Sequence, residues 1–132
     1  SKVVHLHGEL FKSRSTLDES LVYDCKGDIN LGDKCEKGAQ LRPHIVWFGE
    51  MVPMIEIAAG IAAQADIFMV IGTSMVVYPA AGLINFVGHN VPKFVIDPSK
   101  PEVDYIPNVE YVVENGSTGV PKVVKRLLAE AG

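Results

Sequence analysis

The chain has 132 residues, of which 48% are hydrophobic, and a formal net charge of −4. That makes one modest domain or part of a larger one, with enough apolar material for a real core. The acidic balance argues against direct nucleic-acid binding, which needs a basic face, and no run reaches the ~18 apolar residues of a membrane span.

Ser1 to His7 lacks the charged-then-apolar pattern of a signal peptide. Two cysteines, Cys25 and Cys35, make no disulfide framework, so a reducing, cytoplasmic setting is expected. Val3 to His7 reads as a short strand with His5 and His7 on one face. His7 stands beside Gly8, where a ligand can reach an imidazole suited to proton transfer near neutral pH. A hydrogen-bonded structural histidine is the alternative.

Leu10 to Gln40 is rich in charge and turn residues, and only Leu21-Val22-Tyr23 has strand character. An excursion of this length inside a compact domain calls for something to hold it. Zinc is one candidate, but a closed site wants four ligands in close pairs, and Cys25 and Cys35 are far apart and unpaired. The next dense stretch, Arg42 to Glu50, contains Ile45-Val46-Trp47-Phe48, with strong β propensity, broken by Gly49. As an edge strand it can accept an added peptide strand; as a core strand it uses Trp47 as filling.

Met54 to Ala65 is predicted to be a helix, with Ile55, Ala58, Ala59, Ala62 and Ala63 on one face. The continuous apolar run Ile67 to Ile71 reads as a strand buried on both faces, as in a parallel sheet covered by helices. It stops at Gly72-Thr73-Ser74, a strand exit where a backbone or a ligand can come close. Pro79 starts a helix running to about Gly88. Phe94-Val95-Ile96 is a second short strand ending at Asp97, whose carboxylate can bond a ribose hydroxyl or cap the turn Asp97-Pro98-Ser99. Val109, Tyr111 and Val113 alternate as a third strand. It leaves through the glycine-rich segment Asn115 to Gly119 into a closing helix with Val120, Val123, Val124, Leu127 and Leu128 as its stripe. The fold class is α/β, and three strands exit through small-residue turns on one edge of the sheet.

Three stretches together closely resemble the sirtuins, NAD-dependent protein-lysine deacylases. They are His5-Leu6-His7-Gly8-Glu9-Leu10, Leu41-Arg42-Pro43 through Trp47-Phe48-Gly49-Glu50, and Gly72-Thr73-Ser74 with Val77-Tyr78-Pro79-Ala80-Ala81-Gly82. The resemblance implies the second half of a Rossmann-like parallel sheet with helices on both faces, formed by residues 1–9 and 41–132. Residues 10–40 would form a small inserted zinc-ribbon-like module. It implies His7 as the general base for a nicotinamide-ribose hydroxyl, and Val46 and Phe48 as contacts to the substrate lysine. It also implies Gly72, Thr73, Ser74, Val95, Ile96, Asp97 and Gly116 as the NAD-binding set. The implied partner is an acyl-lysine protein or peptide, and the implied products are nicotinamide and O-acyl-ADP-ribose.

Two departures qualify this. Cys35 matches one position of the family's four-cysteine zinc site, but Ser15 stands near another and Cys25 is misplaced, so the zinc is expected to be lost. The family's pyrophosphate loop and nicotinamide pocket are expected upstream of Ser1. The isolated chain is therefore expected to bind NAD weakly or not at all and to be inactive, with an unpaired sheet edge through which copies can associate. A module that binds NAD or ADP-ribose without turnover is the alternative function.

Overall fold

The computed structural model describes residues 1–73, 75–100 and 105–132. Ser74, one of the expected cofactor residues, lies outside them. The chain divides into two compact units, Ser1–Met54 and Ile55–Gly132.

The first unit is a three-stranded antiparallel sheet. Strand β1 (Gly8–Ser15) lies between β2 (Val22–Asp24) and β3 (Leu41–Ile45). Gly8 pairs with Ile45, the register then shifts, and Ser13, Arg14 and Ser15 pair with Pro43, Arg42 and Leu41. Pro43 donates no ladder bond and is tolerated because β3 is an edge strand. The expected strand Val3–His7 is absent; the chain enters through a turn and the strand starts at Gly8. Strand β1 escaped the sequence reading because its buried residues are polar: Ser13, Arg14 and Ser15 are all buried.

Side-chain hydrogen bonds hold the long excursion. Ser15 Oγ accepts the amides of Leu17 and Asp18 at 3.1 and 3.2 Å and the thiol of buried Cys35 at 3.2 Å. The Gln40 side chain donates to the carbonyls of Asn30 and Leu41 at 2.9 and 3.0 Å and accepts from the Gly32 amide at 2.8 Å. Every polar atom tied down this way removes the desolvation cost of leaving it unpaired.

The second unit is α/β. Helix α1 (Ile55–Ala63) leads to β4 (Phe68–Ile71). A 3₁₀ helix (Ala80–Phe86), β5 (Lys93–Ile96), β6 (Val109–Val112) and helix α2 (Gly116–Ala131) follow. The strands are parallel in the order β4-β5-β6. Side chains alternate across β5. Val95 packs with Met75 and Ile84, flanked by Phe68, Val70 and Ala81, on the face of the 3₁₀ helix. Phe94 and Ile96 pack with Val123, flanked by Met69, Val120 and Leu127, on the face of α2. Each such buried side chain contributes roughly 1.5–3 kcal/mol.

β5 is the fully buried strand. β4 also sends Phe68 and Val70 to one face and Met69 to the other, but it has a strand neighbour on one side only among the described residues, and it is only partly buried, with Ile71 half exposed. An apolar run reports hydrophobicity but not the number of neighbours a strand acquires. The expected helix Pro79–Gly88 is the shorter 3₁₀ segment.

Lys93 opens β5 almost fully buried. Its ammonium donates to the carbonyls of Gly88, Val91 and Pro107 at 2.8, 3.0 and 3.2 Å. Burial pushes its pKa down, and the three carbonyls compensate for the water it has lost. Among the described residues no helix is long and apolar enough to cross a membrane.

Candidate functional site

In the second unit the parallel register places the strand exits side by side. Ile71 pairs with Ile96, and Ile96 with Val112. Just beyond, the Gly72 amide donates to the Ile96 carbonyl at 2.9 Å and the Asp97 amide to the Val112 carbonyl at 3.2 Å. Gly72 has φ +64°, and nothing lies within 4 Å of where a Cβ would stand. The backbone there is open to a ligand's close approach, and the turn needs a residue that tolerates left-handed geometry. Thr73 Oγ1 accepts the Met75 amide at 3.2 Å. Met75 itself has φ +56° and is buried in the core beside Val95 and Ile84. The loop after β4 is thus pinned at its far end by a side chain sunk into the sheet's face.

Gly116 does not sit in a loop, as the glycine-rich exit suggested, but opens α2. A Cβ there would come within 2.9 Å of Ile71 Cγ2, and one at Gly119 within 2.5 Å of Ile96 Cγ2. These glycines let the first turn of α2 lie directly on the ends of β4 and β5. The side chains of Val95 and Ile96 fill the core; what these residues offer at the edge is backbone. Asp97 Oδ1 accepts the Ser99 amide at 2.9 Å and the Ser99 hydroxyl at 2.8 Å. These bonds are the turn cap. Gly72, Thr73, Val95, Ile96, Asp97 and Gly116 are therefore gathered at one end of one sheet.

In the first unit His7 is exposed, in the turn leading into β1. Its carbonyl accepts the Val46 amide at 2.9 Å, which ties the backbone of His7 to that of Val46. Gly8 has φ +95°, and a Cβ there would stand 2.0 Å from the His44 carbonyl oxygen. Only glycine lets β1 and β3 meet at this point, so Gly8 sets where His7 stands.

The expected strand Ile45–Phe48 stops at Ile45. Val46 is half-buried, Trp47 and Phe48 are exposed, and Phe48 is 94% exposed. Trp47 is therefore not core filling. Glu50 holds the turn that follows the strand. Its carboxylate takes two bonds from Arg42, at 2.7 and 3.1 Å, and one from the Trp47 amide at 3.1 Å. The Arg42 guanidinium lies 4.8 Å from the Trp47 ring centroid, a cation–π distance. Arg42 and the Trp47 amide hold the Glu50 carboxyl below the usual carboxylate range. The sequence alone assigns Arg42 and Glu50 no role; their spacing of eight residues gives no hint that they meet. The positive φ of Met75 left no trace in the sequence at all.

Cys25 and Cys35 are free. No group of three or more His, Cys, Asp or Glu suited to a metal ion occurs among the described residues. The hydrogen bonding between Cys35 and Ser15 leaves the Cys35 thiol pKa below its usual value.

The sequence profile of the Sir2 family matches residues 1–79. An NAD-dependent protein deacylase of Aggregatibacter actinomycetemcomitans is 50% identical over 99 residues, covering 75% of this chain and 48% of that protein. One from Helicobacter pylori strain J99 is 40% identical over 131 residues, covering 99% of this chain and 56% of that protein. A crystal structure of a Sir2 homolog–NAD complex superposes with a TM-score of 0.79 at 30% identity, covering 100% of this chain and 53% of that one. The chain spans about half the length of these curated relatives. With a profile match over more than half its residues and these relatives beside it, the chain belongs to the Sir2 family.

Proposed function

We propose that this chain supplies the C-terminal half of a catalytic domain that removes acyl groups from protein lysines with NAD. The observation that carries the reading is the shared sheet end at which Gly72, Thr73, Asp97 and Gly116 meet, with an open approach at Gly72. The adenosine side of NAD fits an edge of backbone and hydroxyl groups with an open approach at Gly72; Gly72, Thr73, Ser74, Val95, Ile96, Asp97 and Gly116 would hold it. When bound, NAD supplies the ribosyl carbon that loses nicotinamide and receives the acyl oxygen. His7 would take the proton from a ribose hydroxyl, and Val46 and Phe48 would line the path of the acyl-lysine of a protein or peptide substrate. Residues 10–40 act as a small module whose Ser15, Cys35 and Gln40 bonds do the work that zinc does elsewhere in the family. The free thiols suit a reducing, cytoplasmic setting. The side of β4 that has no strand neighbour among the described residues offers an edge through which copies can associate.

Titrating the chain with ADP-ribose while following backbone amide resonances tests the cofactor half of this reading. Weak, fast-exchanging shifts are expected at Gly72, Thr73, Asp97 and Gly116. Shifts confined to residues 1–54 would contradict it.

A further inference from the structure

Residues 46–50 form no strand and carry two exposed aromatics, and Gly49 has φ +85° with open space around it. Left alone, such a segment would sample many shapes. It is instead gripped at several points. Glu50 accepts both Arg42 nitrogens and the Trp47 amide, the Glu50 amide donates back to the Trp47 carbonyl at 3.1 Å, and Arg42 faces the Trp47 ring. Arg14, almost fully buried, stands 3.8 Å from Glu50 and 3.8 Å from Glu19, backing the pair with alternating charge. At the other end the Val46 amide is held by the His7 carbonyl.

We infer that Glu50 is a positioning residue, whose carboxylate fixes the Trp47–Glu50 turn and so presents Val46 and Phe48 in the shape an acyl-lysine chain meets. The inference rests on the proposed substrate role of Val46 and Phe48. The chemistry requires these two residue types. A guanidinium alone offers a planar fork to two oxygens while lying against an aromatic face. A carboxylate alone offers two acceptors to the fork and still one lone pair to an amide. Ordering the turn before the ligand arrives removes a cost that binding would otherwise carry.

The test uses Glu50→Gln and, as a gentler variant, Arg42→Lys. Trp47 is the single tryptophan in the chain, so its fluorescence anisotropy reads the turn directly, while circular dichroism reads the sheet. Expected in both variants is a more mobile Trp47, an unchanged sheet signal and an affinity for an acetyl-lysine peptide about tenfold weaker. Glu50→Asp, which keeps the charge, should recover part of the loss. A Trp47 that stays ordered overturns the inference. So does a mobile Trp47 with unaltered peptide affinity, which would make Glu50 merely structural. A wild-type chain with an ordered Trp47 and no peptide binding at millimolar concentration defeats the substrate reading itself, and this inference with it.

Discussion

Gly8 is the residue on which the placement of His7 depends. With φ +95° and the His44 carbonyl oxygen 2.0 Å from any Cβ, Gly8→Ala forces β1 and β3 apart. The expected cost is at least ~1–3 kcal/mol in urea unfolding of the first unit, together with faster exchange of the Val46 amide. The same unit carries a pH signature. Lys37 and Ser20 hold the Asp18 carboxyl down to about 2, and Arg42 with the Trp47 amide lowers that of Glu50. Groups with depressed folded pKa values stabilise the fold above their unfolded values of about 4 and lose that contribution as the pH falls through the folded ones. Thermal melts should therefore show the first unit losing stability below about pH 4, with Asp18 contributing until about pH 2. A melting temperature flat from pH 6 to pH 3 would contradict this.

Among the elements, β5 carries the second unit. Ile96 is fully buried between β4, β6 and α2, so Ile96→Ala should cost about 2–5 kcal/mol. Lys93→Ala removes the donor that serves three carbonyls and should cost roughly 1–3 kcal/mol; urea midpoints check both. These elements differ in how far the sequence disclosed them. Short apolar runs bounded by glycine, proline or aspartate located β4 and β5 to within a residue or two, because a strand covered by helices is apolar on both faces, and the alternation of Val109, Tyr111 and Val113 located β6. The stripe Val120, Val123 and Leu127 likewise located α2. In the first unit the signal inverts. The buried residues of β1 are hydroxyls and a guanidinium, invisible to a hydrophobic pattern. At Ile45–Phe48 strong β propensity gives way to a turn held by the Arg42–Glu50 ion pair. Gly72 could be read as an open strand exit because glycine at a strand end has few other uses, whereas Gly116, expected in a loop, opens α2. Met75, Arg42 and Glu50 could not be read, because their roles exist only once distant residues meet.

For the whole molecule, membership of the Sir2 family combines with a length about half that of its relatives. The isolated chain should show no NAD-dependent deacylation, which a sensitive acetyl-peptide assay can check. If the β4 edge recruits copies, sedimentation should show a concentration-dependent dimer that a β4-edge proline, Met69→Pro, weakens. The most direct measurement joins the chain to the upstream portion of a curated deacylase relative and follows acetyl-lysine turnover and ADP-ribose binding together, with His7 intact and as His7→Ala. Turnover that disappears with His7→Ala while ADP-ribose still binds is the expected result. Turnover that survives the substitution would contradict the assignment of His7 as the base, and binding without turnover in the intact protein would leave a sensor rather than an enzyme.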